Sequence, residues 1–378
     1  MNKRQEILDE LALTRTLSNE SLAGMDFSQE DFSNCAFMKI DFSDTKLVET
    51  DFTSCQLVQC DFTKADLTRA IGLSTGWLNP IFDETVFVDV DLRACQMMGA
   101  KITNARLNGG NLYNTILHDV EMPGLVLKGK LSRFIANDCT FDEIDAAYLE
   151  MNRCIFHKCS LKGADLSNSI FNEVTFSDVD FTNTNLDEIT IDKSLFQEVD
   201  FSDRNFSKLK MFGAQLIGCT LIGVNFSGAQ LEKCGFIKAD LERANFENSV
   251  VIQSNFAEAN MTGSNMLKAD LQQTVWQEAN LTDVNFVECN LESSAFINAK
   301  LLGANLSDSR LIYTDFSGAD LTDAKLNNCD LYMAKLDNII EENTDWDGAD
   351  RRKAQELDQP KIEAEQWPTA RSKEILDA

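Results

Sequence analysis

Leu, Phe or Met recurs at almost every fifth position of this chain, and a five-residue period leaves few folds open. From Leu161 the centres run through Leu166, Phe171, Phe176, Phe181 and Leu186 and on to Leu336. Two residues before each centre stands a small or β-branched side chain, as at Ala164, Ser169, Val174, Val179 and Thr184. The residue just before the centre is often Asp or Asn, which gives the unit A-(D/N)-L-x-x seen in GADLS, KADLE, GANLS and GADLT. An earlier tract, Leu22 to Leu127, keeps the same period one residue out of phase. Neither the 3.6 period of an amphipathic helix nor the 2.0 period of a strand fits this spacing. A unit of five residues cannot bury its own apolar side chain, so successive units must stack on copies of themselves.

The number of units per coil can also be read. Every twentieth residue from 185 is asparagine: Asn185, Asn205, Asn225, Asn245, Asn265, Asn285 and Asn305. A second column reads Phe156, Phe176, Phe196, Leu216, Phe236, Phe256, Trp276, Phe296, Phe316. Both columns imply four units per coil. Asparagine ladders and stacked aromatics are what equivalent positions favour when backbones repeat at strand spacing.

On these residues the chain resembles the pentapeptide-repeat family over roughly residues 20–340. The resemblance implies an all-β fold, a right-handed quadrilateral β-helix. In it the centre and the residue two before it point inward, and the other three face solvent.

Within that frame we expect a capping helix in residues 1–20, where Ile7, Leu8, Leu11 and Leu13 stand among charges. Open sheet edges invite aggregation, so a cap is needed. A first repeat tract then covers 21–127 and a second 136–340. Residues 69–81, with Gly72, Trp77 and Pro80, read as a loop leaving the helix. So do residues 121–135, which carry Pro123, Gly124, Gly129 and the phase change. Pro and Gly do not continue a ladder cheaply. Arg204 and Leu209 in small-residue slots predict a bulge over 203–212. Residues 341–378 are charged, interrupted by Pro360 and Pro368, and predict a short helix and a mobile tail.

Candidate chemistry is sparse. All 11 cysteines fall two before a centre, the slot otherwise filled by Ala, Ser, Thr and Val, and so read as buried free thiols. Cys35/Cys55 and Cys139/Cys159 would stack in neighbouring coils, within the Cα range of a disulfide. No C-x2-C pair suggests zinc. The two histidines, His118 and His157, each follow a centre and should face water. There is no phosphate-binding glycine loop and no H-E-x-x-H motif. We expect no catalytic residues, no metal and no cofactor.

The net charge of −27, from 61 acidic and 34 basic side chains, argues against direct binding to nucleic acid or to an anionic membrane. It permits a basic protein partner. The outward residues Asp31, Asp51, Asp91 and Asn111 share one column, and Asp41 and Asp61 another. Spread along stacked coils, the net charge reaches a linear density of the same order as duplex DNA. The competing reading is that the charge keeps a stacked protein soluble.

The resemblance adds a candidate partner. Some members of the family are similar to DNA in outline and protect DNA gyrase from quinolones, and in these two loops projecting from the helix contribute. The stretches 69–81 and 121–135 are similar in number and place, which makes Trp77 and the cluster Lys128, Lys130 and Arg133 candidate contacts. Other members occur in bacterial secretion or host interaction, which suggests a scaffold for a secretion component. A spacer that self-assembles is the third reading. The segment MNKRQEILDELAL has no apolar signal-peptide core, so we expect a cytoplasmic protein, a monomer or dimer, with non-classical secretion still open.

Overall fold

The computed structural model describes residues 3–356. Each unit turns a corner because the second residue after its centre takes a left-handed backbone, with φ 59° at Asn34, 60° at Lys64 and 63° at Tyr148. Such a backbone usually calls for Gly or Asn. Lys, Glu and Tyr hold it here because the side chain projects to solvent (Tyr148 is 71% exposed) and the stacked coils impose the turn. At many corners the turn closes with a bond back to the centre, as from Cys35 N–H to Phe32 O at 3.1 Å.

The Asp or Asn before the centre has a local reason. Its Oδ1 accepts the backbone N–H two residues on: Asp31 from Ser33 at 2.8 Å, Asp51 from Thr53 at 2.7 Å, Asp165 from Ser167 at 3.0 Å. This Asx turn is why the unit favours those two residues.

Coils then pair in parallel at a register of twenty, as in Leu17↔Phe37, Phe37↔Leu57 and Leu57↔Trp77. The chain forms two compact units, Met1–Val199 and Asp200–Ala378. The tallest sheet of the first unit stacks ten three-residue strands, from Thr16–Ser18 to Leu195–Gln197. In the second unit the strands Lys210–Phe212, Gln215–Ile217 and Gln230–Glu232 give way to single-residue bridges, ending with Lys325↔Asp345.

Both interiors are filled by the centres and the residues two before them. In the first unit Phe176 stacks on Phe156 and on Phe196 at 5.2 Å each. In the second, Phe236, Phe256, Trp276, Phe296 and Phe316 stack at 4.8, 4.3, 5.7 and 5.0 Å.

The helix α1 (Lys3–Thr14) buries Ile7 and Leu11. Lys3 Nζ donates to Ser21 O at 2.8 Å and Arg4 Nε to Asp26 O at 2.7 Å. These carbonyls belong to the first coil, which has no earlier coil to satisfy them, so the helix closes that sheet edge.

Three expected interruptions are absent. Residues 69–81 stay in the ladder: Gly76–Leu78 pairs with Gln56–Val58 and with Gln96–Met98. Pro80 is tolerated because its column (Ile40, Cys60, Pro80, Ala100, Val120) shows no backbone N–H bonded to another backbone group among the described residues. Its carbonyl still accepts Lys101 N–H at 3.2 Å.

Residues 121–135 also remain coiled, and the phase change is a one-residue deletion. The register shortens from Leu107↔Leu127 to Ala136↔Leu117. Gly129, exposed and with φ 104°, stands between Leu127 and Leu131, the two centres that the deletion brings to four residues apart. Its backbone conformation is one that glycine adopts readily and other residues do not.

No bulge forms at 203–212. Asn225 N–H still bonds Arg204 O at 2.9 Å, Arg204 is half-buried, and Leu209 is buried. The coil pattern also continues past 340, with Leu326 N–H on Asp345 O at 2.7 Å. A 3-10 turn, Arg351–Lys353, then follows, and Lys353 O accepts Met333 N–H at 2.8 Å. The rest of the expected tail, 357–378, lies outside the described residues.

Candidate partner-binding surface

Trp77 is not a surface contact. It occupies a centre, is 4% exposed, and packs at 5.4 Å from Phe62 and 5.2 Å from Phe82. Its indole N–H has no nitrogen or oxygen partner and rests against the Cys95 thiol, a weak acceptor. Lys128, Lys130 and Arg133 do face outward, but on the ladder and not on a loop. Lys128 pairs with Asp145, Lys130 Nζ lies 2.5 Å from Glu150, and the Arg133 guanidinium sits 5.7 Å from the Tyr113 ring centre. Trp77 is therefore in the interior while this cluster faces solvent, so they do not form one surface.

The acidic columns are arranged by the coil register. Asp31 bridges Asp51, Ile71 stands between Asp51 and Asp91, and Asp91 bridges Asn111; Asp41 bridges Asp61. The Ser33 hydroxyl and N–H hold the Asp31 carboxyl below its ordinary pKa. Ser43 does the same for Asp41, and Ser28 for Asp26. Hydrogen bonds to the charged form favour it. Asp26, Asp31 and Asp41 are thus held in the ionised form and aimed by the turns that they close. Asp91 is partly neutralised, 2.6 Å from Arg93.

In the second unit a chain of side-chain amides runs along one corner. Asn225 donates to Asn205 at 3.0 Å, Asn245 to Asn225 at 3.3 Å, Asn265 to Asn245 at 3.1 Å and Asn285 to Asn265 at 2.9 Å. Asn305 keeps its backbone bridge to Asn285, and its Oδ1 takes the Ser307 hydroxyl at 2.6 Å. Asn185, in the first unit, accepts Asp187 N–H at 3.1 Å.

All eleven cysteines are free and buried. Desolvation pushes the thiols of Cys55, Cys234, Cys289 and Cys329 up to about 12, so they stay neutral. Cys139 and Cys159 lie within hydrogen-bonding reach in successive coils, and the contact and burial raise the pKa of Cys159. His118 is half-exposed, with Nδ1 3.7 Å from Asp138. Among the described residues no group of His, Cys, Asp and Glu could hold a metal ion, and no helix is long and apolar enough to cross a membrane. An apolar void of about 30 Å³ lies among Phe87, Leu107, Leu117 and Phe134, where Leu, Ile and Met centres fill less space than Phe. It is dry and too small for an organic ligand.

Sequence reasoning singled out the charges and passed over their absence. On the ten-strand sheet none of the outward residues is Asp, Glu, Lys or Arg. Reading the outward positions at a spacing of twenty would have found it.

The chain matches two family models. One, described as a pentapeptide repeat region, matches over residues 149–226, 209–286, 229–306 and 268–336. The other, pentapeptide repeats in eight copies, matches over 35–71 and 81–125. A search of curated proteins finds no match. Among solved structures, the chain is similar to HetL, a pentapeptide repeat protein involved in heterocyst differentiation regulation from the cyanobacterium Nostoc. The identity is 16%, the match covers 87% of this chain and 95% of that one, and the TM-score is 0.18. QnrB1, a plasmid-mediated fluoroquinolone resistance protein, matches at 24% identity over 56% of this chain and 95% of its own, with a TM-score of 0.27. Rfr23, from the cyanobacterium Cyanothece, matches at 21% identity over 41% and 90%, with a TM-score of 0.13. At these scores the likeness carries no argument about function. The repeat units matched by the family models, folded into stacked four-sided coils, make this chain a member of the pentapeptide-repeat family.

Proposed function

We propose that this protein is a non-catalytic binding scaffold whose acidic columns engage a basic, DNA-binding protein in the cytoplasm, with DNA gyrase as the first candidate. The supporting observation is the state of the carboxylates. Asp26, Asp31 and Asp41 are held ionised by the turns that they cap, and Asp31 and Asp41 each bridge the Asp of the next coil. Coils repeat at about 4.8 Å, and phosphates along one DNA strand at about 3.4 Å. A groove shaped for phosphates meets fixed negative charge at a comparable interval, with little ordering left to do on binding. The nucleophilic thiols, in contrast, are all buried.

The test is a DNA supercoiling assay with gyrase, with and without a quinolone, at low and moderate salt. Inhibition or drug protection that weakens as salt rises supports competition for the DNA groove. No effect at micromolar protein rejects gyrase as the partner.

A further inference from the structure

We propose that the charge-free face of the first unit is a homodimer interface, on which two copies pack sheet against sheet. The face consists of the ten strands from Thr16–Ser18 to Leu195–Gln197, each presenting two outward residues. In a chain of net charge −27 none of these is Asp, Glu, Lys or Arg. Other strands of the unit carry charge outward, as at Lys130, Glu150 and Asp192. Solubility alone does not explain a continuous face with no charge.

The uncharged face mixes polar amides, hydroxyls and imidazoles with exposed apolar side chains. Met38 is 50% exposed, Leu78 39%, Met98 49% and Ile155 40%. At its middle lies a shallow recess of about 320 Å³ bounded by Gln56, Leu78, Gln96 and Met98 and floored by Gly76. A Cβ on Gly76 would meet the Gln56 side chain at 2.6 Å, so glycine there lets that side chain lie flat. The recess has room for a methionine or leucine side chain from an opposing face.

A second copy suits this surface for two reasons. The outward residues match in number the roughly 20–30 residues that each partner contributes to a stable interface. Flat sheets pack face to face at about 10 Å through such uncharged side chains. The second reason is the charge of the rims. The corner before the strands carries exposed Arg15, Arg133, Arg153 and Lys193 against one acid, Glu173. The corner after them carries Asp119, Asp138, Asp178 and Glu198 against Lys39 and Lys158. A twofold axis parallel to the stack sets each copy's basic rim beside the other's acidic rim. An axis across the stack would set like rims together. The geometry therefore favours two parallel copies with a dry centre and a charge-paired edge.

The experiment is sedimentation equilibrium of the full chain over a concentration series, with Leu78→Glu, Met98→Glu and Arg133→Glu, and with Ile81→Glu as a control on another face. All four positions are exposed, so each variant should keep its melting temperature. We expect a dimer with a dissociation constant in the micromolar range or below. Leu78→Glu and Met98→Glu should each weaken it at least about tenfold, Arg133→Glu severalfold, and Ile81→Glu not at all. A monomer up to roughly 100 µM overturns the proposal. So does a dimer indifferent to Leu78→Glu and Met98→Glu, or one strengthened by Arg133→Glu.

Discussion

Asn265 Nδ2 donates to Asn245 Oδ1 at 3.1 Å, and that same oxygen accepts Glu247 N–H, also at 3.1 Å. One amide therefore joins two coils and closes its own turn. Removing it loses both functions at once.

Asn245→Ala should lower stability by about 1 kcal/mol, the net value of a hydrogen bond in a partly exposed setting. Asn305→Ala should cost less, because the chain of amides ends at Asn285. Urea denaturation of both variants checks this. Equal midpoints for Asn245→Ala and the parent protein would remove the ladder from the account.

Leu241 is fully buried. Leu241→Asp places a carboxylate without a partner in the interior, at a cost of several kcal/mol. We expect loss of cooperative thermal unfolding by circular dichroism. A soluble variant with an unchanged transition would contradict the assignment of centres as core.

Trp77 and Trp276 should respond differently to the same substitution. The Trp276 indole donates to Thr274 Oγ1 at 2.8 Å, whereas the Trp77 indole has only a thiol beside it. Trp77→Phe should therefore cost less than Trp276→Phe, and Trp77→Ala about 3–5 kcal/mol through the cavity that it leaves. Melting temperatures of the three variants decide the order.

The thiols set an alkaline limit. Burial raises the folded pKa of Cys55 from 9.0 to about 12, and those of Cys234, Cys289 and Cys329 likewise. A raised thiol pKa means that the unfolded chain loses protons first, so this stability is full below pH 9.0 and falls as pH rises towards 12. Denaturant midpoints should decline over that window. Native protein at pH 8 should react with a thiol reagent far more slowly than unfolded protein, which should release eleven thiols. Fewer than eleven in denatured, unreduced protein would mean a disulfide.

Much of the fold was legible because equivalent positions repeat. The spacing of Leu and Phe identifies the inward residues, and the asparagine column identifies four units per coil. The errors came from applying strand rules to corners. Pro80 and Gly72 read as breakers because a proline removes a donor and a glycine weakens a strand. In the fold, the Pro80 column has no backbone N–H partner to lose, and Gly72 is buried at a centre where its N–H still bonds Asp91 O at 2.7 Å and a Cβ would meet Leu92 at 2.9 Å. Trp77 then looked like a loop residue only because its neighbours looked like a loop.

The sequence by itself determined the period, the inward pair and the acidic excess, since each is a property of single positions counted along the chain. Tertiary structure decided what those positions meet. Asp31 becomes a turn acceptor because the backbone brings Ser33 N–H to it. Gly129 lies where the register shortens by one residue, in a backbone conformation that favours glycine. Likewise, the face from Thr16 to Gln197 is free of charge as a surface only once the coils are stacked. Residues twenty apart along the chain become neighbours when parallel hydrogen bonds join one coil to the next, and a one-dimensional reading contains those contacts only after the coil is known.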